Sequence, residues 1–93
     1  MTKFDQISSR IIKEQELIIG PVAWDEASKV SGLQIVNKKE ATVKIEGDGK
    51  VAVESLVSRY VSLFGRISQG VCKDAVQDLL ADMNPSDVPN SLK

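Results

Sequence analysis

Along the first twenty positions, apolar residues recur at the spacing of a helix. Phe4, Ile7, Ile11 and Ile18 mark one face, and Ile12, Leu17 and Ile19 widen the stripe. The pattern predicts a helix over 2–19. Thr2 and Asp5 each offer a side-chain oxygen to the free N–H groups at its start. Gly20 is suited to end it, because glycine enters the left-handed conformation without a Cβ clash. Pro21 then fits the first turn of a second helix, where its missing N–H would have had no partner. Val22, Ala23, Ala27 and Val30 continue the apolar face until Ser31-Gly32 closes it. The stretch "ELIIGPVAWDEA" thus reads as a hinge between two helices.

From Leu33 the period changes. Leu33 and Ile35, then Val43 and Ile45, alternate with polar residues around the turn-like Asn37-Lys38-Lys39-Glu40. The segment 33–46 is expected to be a short β-hairpin or an ordered loop, laid on the helices because two strands alone are marginal in water. "GDG" at 47–49 breaks the chain again, with Asp48 as a cap. Val53, Leu56, Val57, Tyr60, Leu63 and Phe64 then follow helical spacing closely. A rival strand at 51–54 would pair with 42–46, but its alternation stops at Val53 while the helical period runs on to Phe64. Gly65 ends this helix. Ser68 is placed to cap a last one carrying Val71, Cys72, Ala75, Val76, Leu79, Leu80 and Met83, which Asn84-Pro85 stops.

The expected fold is therefore mainly α with a small β part (α+β). It has two helix hairpins, 2–31 and 50–83, forming one domain over 1–83, followed by a flexible tail at 84–93. Leu56, Tyr60, Leu63, Leu79 and Leu80 are expected in its core. Gly20 and Gly65 lie 45 positions apart, and at that offset Ile18-Ile19 aligns with Leu63-Phe64 and Val22 with Ile67. Duplication, and convergence of two helix hairpins on similar punctuation, both account for this.

Composition sharpens the picture. With 93 residues, roughly 60–65% of the unfolded surface is buried on folding, so the core is adequate but not generous. Aromatic residues make up only 4%, so aliphatic side chains must fill most of that core. A formal charge of −1 gives no general pull toward nucleic acid or anionic membrane. Cys72 has no partner for an internal disulfide. The first sixteen residues carry charges throughout and no small-residue cleavage site, and no apolar run approaches the roughly 20 residues that span a bilayer. These features lead to the expectation of a soluble cytoplasmic protein.

Candidate chemistry is sparse. Without histidine there is no Ser-His-Asp or Cys-His arrangement and no histidine metal site. "GDGK" at 47–50 lacks the P-loop spacing, and Val51 stands where a hydroxyl would meet magnesium. No cofactor, metal or small-molecule substrate is implied. Asp74, Asp78 and Asp82 fall at i, i+4 and i+8, which makes them either an acidic docking stripe or the solvent side of the last helix. Like charges at this spacing, late in a helix, oppose one another and the helix dipole, which points to a basic group nearby. Lys38, Lys39, Lys44 and Lys50, with Lys29, concentrate positive charge around the hairpin and are one candidate for that group. They are also the candidate nucleic-acid contacts, although Glu40, Glu46 and Asp48 interrupt them and no aromatic is interleaved. Trp24 is either a core anchor or an exposed contact of the kind interfaces favour. Cys72, on the apolar stripe, reads as a small buried hydrophobe.

"LIIGPVAWDEA", residues 17–27, resembles the "IGPxA" segment of small helical domains at the tails of some bacterial, notably cyanobacterial, signalling kinases and regulators. The resemblance covers about a dozen residues, and the strands at 33–45 depart from it. It implies an accessory helical module without catalytic residues. Together these readings lead to a non-catalytic intracellular protein-interaction or regulatory module. Its candidate contacts are Trp24, Asp74, Asp78 and Asp82, and its partner is another protein or a second copy of itself. Nucleic-acid binding through Lys38, Lys39, Lys44 and Lys50 is the alternative.

Overall fold

The computed structural model describes residues 3–93. The first apolar stripe forms α1 (Lys3–Ile19), which buries Ile7, Ile11 and Ile12 together with the polar Asp5, Ser8, Ser9 and Gln15. Asp5 lies inside the helix rather than ahead of it, and Thr2, the other candidate cap, falls outside the described residues. The hinge forms as expected. Gly20 takes φ 76° and donates to the Glu16 carbonyl at 2.9 Å, and Pro21 holds helical angles as the N-cap of α2 (Val22–Ala27). That second helix is shorter than the apolar pattern suggested. Ser28 Oγ donates to the Asp25 carbonyl at 2.7 Å, and turns lead the chain past the buried Val30 to the first strand.

Residues 33–46 resolve into a β-hairpin. Strands β1 (Leu33–Asn37) and β2 (Thr42–Ile45) are antiparallel, pairing Leu33 with Ile45 and Ile35 with Val43, and the register shifts between Ile35 and Asn37. Leu33, Ala41 and Val43 face the core. The hairpin is held by the polar side of α1. Asp5 Oδ1 accepts from the Ile45 N–H at 2.9 Å, and Ser9, one turn on, donates its hydroxyl to the Ala41 carbonyl. A two-stranded ribbon thus gains the support it needs from a helix.

Helix α3 (Gly49–Phe64) opens where expected. Asp48 accepts from the N–H groups of Lys50 and Val51 at 3.0 and 3.3 Å, which settles 51–54 as helix rather than strand. Gly49 lets the start of α3 meet α1, because a Cβ there would lie 2.5 Å from the Phe4 ring. Gly65, at φ 87°, closes α3 on the Val61 carbonyl at 2.8 Å, and the chain turns at once into α4 (Arg66–Ala75). The last helix therefore starts before Ser68, which is buried within it, and it does not run to Met83. Val76 leaves helical geometry at φ −121°, ψ 11°, while its side chain is fully buried, and only the single turn α5 (Gln77–Leu80) follows.

Two further expectations need correction. Residues 84–93, read as a flexible tail, form two 3₁₀ turns, Pro85–Asp87 and Asn90–Leu92, that bury Val88, Pro89 and Leu92. Glu54 accepts from the Ser91 N–H at 2.8 Å, Gln69 Nε2 donates to the Ser91 carbonyl, and Lys50 Nζ donates to the Ser86 carbonyl, the last two at 3.0 Å. Apolar spacing over only three residues could not announce this docking. Leu63, expected in the core beside Leu56 and Tyr60, is 52% exposed, because the chain leaves for α4 at Gly65 without covering the last turn of α3. Leu56 and Tyr60 are fully buried, and Leu79 and Leu80 pack at the edge of the core.

Candidate functional site

The contacts of four side chains fix how the helices run. Gln15 Nε2 donates to the Ser68 carbonyl and to Cys72 Sγ, at 3.1 and 3.3 Å, while Arg10 reaches the Ala75 carbonyl at 3.2 Å. Helices α1 and α4 are therefore antiparallel. Phe4 meets Gly49, and the Tyr60 hydroxyl donates to the Ala23 carbonyl at 2.7 Å, so α3 runs in the direction of α1. The end of α1, the end of α3 and the start of α4 consequently lie at one end of the molecule, with both hinge glycines among them.

That end is unusually apolar on its outside. Among the described residues, eight large hydrophobic side chains are exposed, and six of them flank the hinges: Leu17, Ile18 and Val22 around Gly20, and Leu63, Phe64 and Ile67 around Gly65. Leu17 and Ile67 are about four-fifths exposed. The other two, Val36 and Val51, lie elsewhere. From the hinge end a groove runs between α1 and α4, lined by Arg10, Glu14, Ile18, Val71, Asp74, Ala75 and Asp78.

The residues singled out in the sequence are distributed as follows. Trp24 is 3% exposed, and its Nε1 donates to Glu16 Oε2 at 2.7 Å, so it anchors α2 against α1 and presents no free ring. Asp74, Asp78 and Asp82 are all exposed, but the break at Val76 divides them. Asp74 and Asp78 meet in the groove, whereas Asp82 lies beyond α5 and is not part of the lining. The basic partner is Arg10, which bonds Asp78 at 2.9 Å, rather than a lysine of the hairpin. Lys38 lies 4.0 Å from Asp25, Lys29 bonds Glu26 at 3.1 Å, and Lys50 is turned to the Ser86 carbonyl. Lys39 and Lys44 stay exposed.

Buried polar groups serve the scaffold. Glu26 receives Lys29 and also Arg59 at 3.2 Å, and these cations hold its carboxyl below the usual range. Burial pushes the Cys72 thiol from the ordinary 9.0 up to about 11, against the opposing hydrogen bond from Gln15. The same cause raises the Tyr60 phenol strongly. Thiol and phenol are therefore both protonated near neutral pH. Among the described residues no group of three or more Cys, Asp or Glu side chains is placed to hold a metal ion, and no helix is long and apolar enough to cross a membrane.

Ile18, Ile67, Val71, Glu14 and Arg10 were not among the surface contacts expected from the sequence. The signal was present in the offset of 45, which aligns Ile18 with Leu63 and Val22 with Ile67, all four of them exposed. No protein-family model matches the chain, and neither the curated proteins nor the solved structures give a significant match.

Proposed function

We propose that the chain is a small, non-catalytic, cytoplasmic interaction module that docks onto another protein through its hinge end. One observation carries this reading: six of the eight exposed large hydrophobics of the described residues gather around Gly20 and Gly65. Single apolar side chains scattered over a surface need no explanation, but a concentration at one place, rimmed by charge, is the composition of a docking surface. Trp24 supports that end from beneath, and Asp74 and Asp78 orient a partner beside it. Burial keeps the Cys72 thiol protonated and packed in the core, as in a structural rather than a reactive cysteine. The resemblance of residues 17–27 to accessory helical modules of signalling proteins points the same way.

The test begins with a partner captured by cross-linking in the native organism, followed by affinity measurements on purified proteins. Leu63→Asp and Ile67→Asp are each expected to weaken binding by at least about tenfold while circular dichroism stays native. Val51→Asp, on an exposed site outside this end, is the control and is expected to bind as the wild type does. Undiminished binding by both hinge-end variants would contradict the proposal.

A further inference from the structure

We propose that the groove between α1 and α4 receives a basic amphipathic helix of the partner protein, an inference that rests on reading the hinge end as a docking surface. The groove has the form a third helix needs. Along α1, Arg10, Glu14 and Ile18 succeed one another at i, i+4 and i+8, and along α4 Val71 and Ala75 form a matching four-spaced row. Ile67, one turn before Val71, carries that row to the exposed hinge end. Two antiparallel rows of this kind leave a furrow that accepts the ridge of another helix. The span from residue 10 to residue 18 is about 12 Å at about 1.5 Å per residue, which suits two to three turns.

Charge selects the occupant. Three carboxylates, Glu14, Asp74 and Asp78, line the groove with one cation, Arg10. Arg10 is committed to Asp78 and to the Ala75 carbonyl, while Glu14 and Asp74 have no ion-pair partner among the described residues. The groove thus combines the aliphatic Ile18, Val71 and Ala75 with a net negative charge. A helix with an aliphatic ridge flanked by Lys or Arg complements both features. An acidic helix or an anionic membrane is repelled by the same charge. A second copy docked two-fold across the groove would set these carboxylates against themselves.

The probe is a fluorescein-labelled peptide of about 14 residues, with Leu at i, i+3, i+4 and i+7 and Lys elsewhere, titrated with the full chain and read by anisotropy. A matched peptide with Glu in place of Lys is the comparison. The Lys peptide is expected to bind at least about tenfold more tightly than the Glu peptide, and to weaken as salt is added. Glu14→Lys/Asp74→Lys is expected to reverse this preference, and Val71→Asp to remove binding of both peptides, with native circular dichroism throughout. If the preference survives Glu14→Lys/Asp74→Lys while Leu63→Asp abolishes binding, the groove and its occupant are wrong and the hinge-end reading stands. If none of these variants changes binding of the Lys peptide, both readings fall. Absence of Lys-peptide binding also overturns the inference. Sedimentation of the chain alone, or with phosphatidylserine vesicles, would then assign the hinge end to a second copy or to lipid.

Discussion

At the scale of single residues, the decisive fact is which side of an apolar side chain is covered. Trp24 takes the first of its two expected roles, a core anchor with its N–H on Glu16, whereas Leu63, expected only in the core, faces out. Residue type and spacing do not separate these cases, because both sit on helical apolar stripes. Trp24→Ala is therefore expected to lower stability by about 3–5 kcal/mol while leaving any binding per folded molecule unchanged, checked by urea denaturation and titration on the same samples. Leu56→Ala, at a fully buried position the spacing did identify, is expected to cost about 2–5 kcal/mol. Cys72 gives a pH-dependent counterpart. Because its thiol titrates higher in the folded chain than in the unfolded one, the stability it contributes is intact below about pH 9 and is lost as pH rises toward about 11. Tyr60 acts in the same direction. Denaturation midpoints at about pH 8 and about pH 10.5 are expected to differ less for Cys72→Ala than for the wild type.

At the scale of elements, punctuation was more legible than extent. Gly20, Pro21, Asp48 and Gly65 each act through backbone chemistry that a sequence displays directly, and all four mark element boundaries as read. The break at Val76 and the early end of α2 were not legible, since no glycine or proline marks either. Both follow from packing, which sinks Val76 into the core and turns the chain past Val30 to the hairpin. The same limit applies to 84–93, whose anchors are a few side-chain-to-backbone bonds and three buried residues. Removing residues 84–93 is accordingly expected to lower the melting temperature by several degrees rather than to leave it unchanged, as loss of a disordered tail would. Asp48→Ala is expected to cost about 1 kcal/mol through the uncapped start of α3.

At the scale of the whole molecule, the parallel run of α1 and α3 and the antiparallel return of α4 bring two hinges, far apart in sequence, to one end. The recurrence at 45 positions was visible in the sequence, but periodicity cannot say whether matching residues face a core or the outside. Only the tertiary arrangement turns six scattered hydrophobics into a surface and joins Glu14 to Asp74 across a groove. The central claim is that this end is where the molecule binds. Methyl-selective NMR of the labelled chain during titration with the Lys-rich amphipathic peptide tests it most directly. The account predicts that the methyl resonances of Ile18, Leu63, Ile67 and Val71 shift together and saturably, while those of Val36 and Val51 remain in place. Shifts confined to Val36 and Val51, or spread evenly over all the exposed methyls, would contradict it.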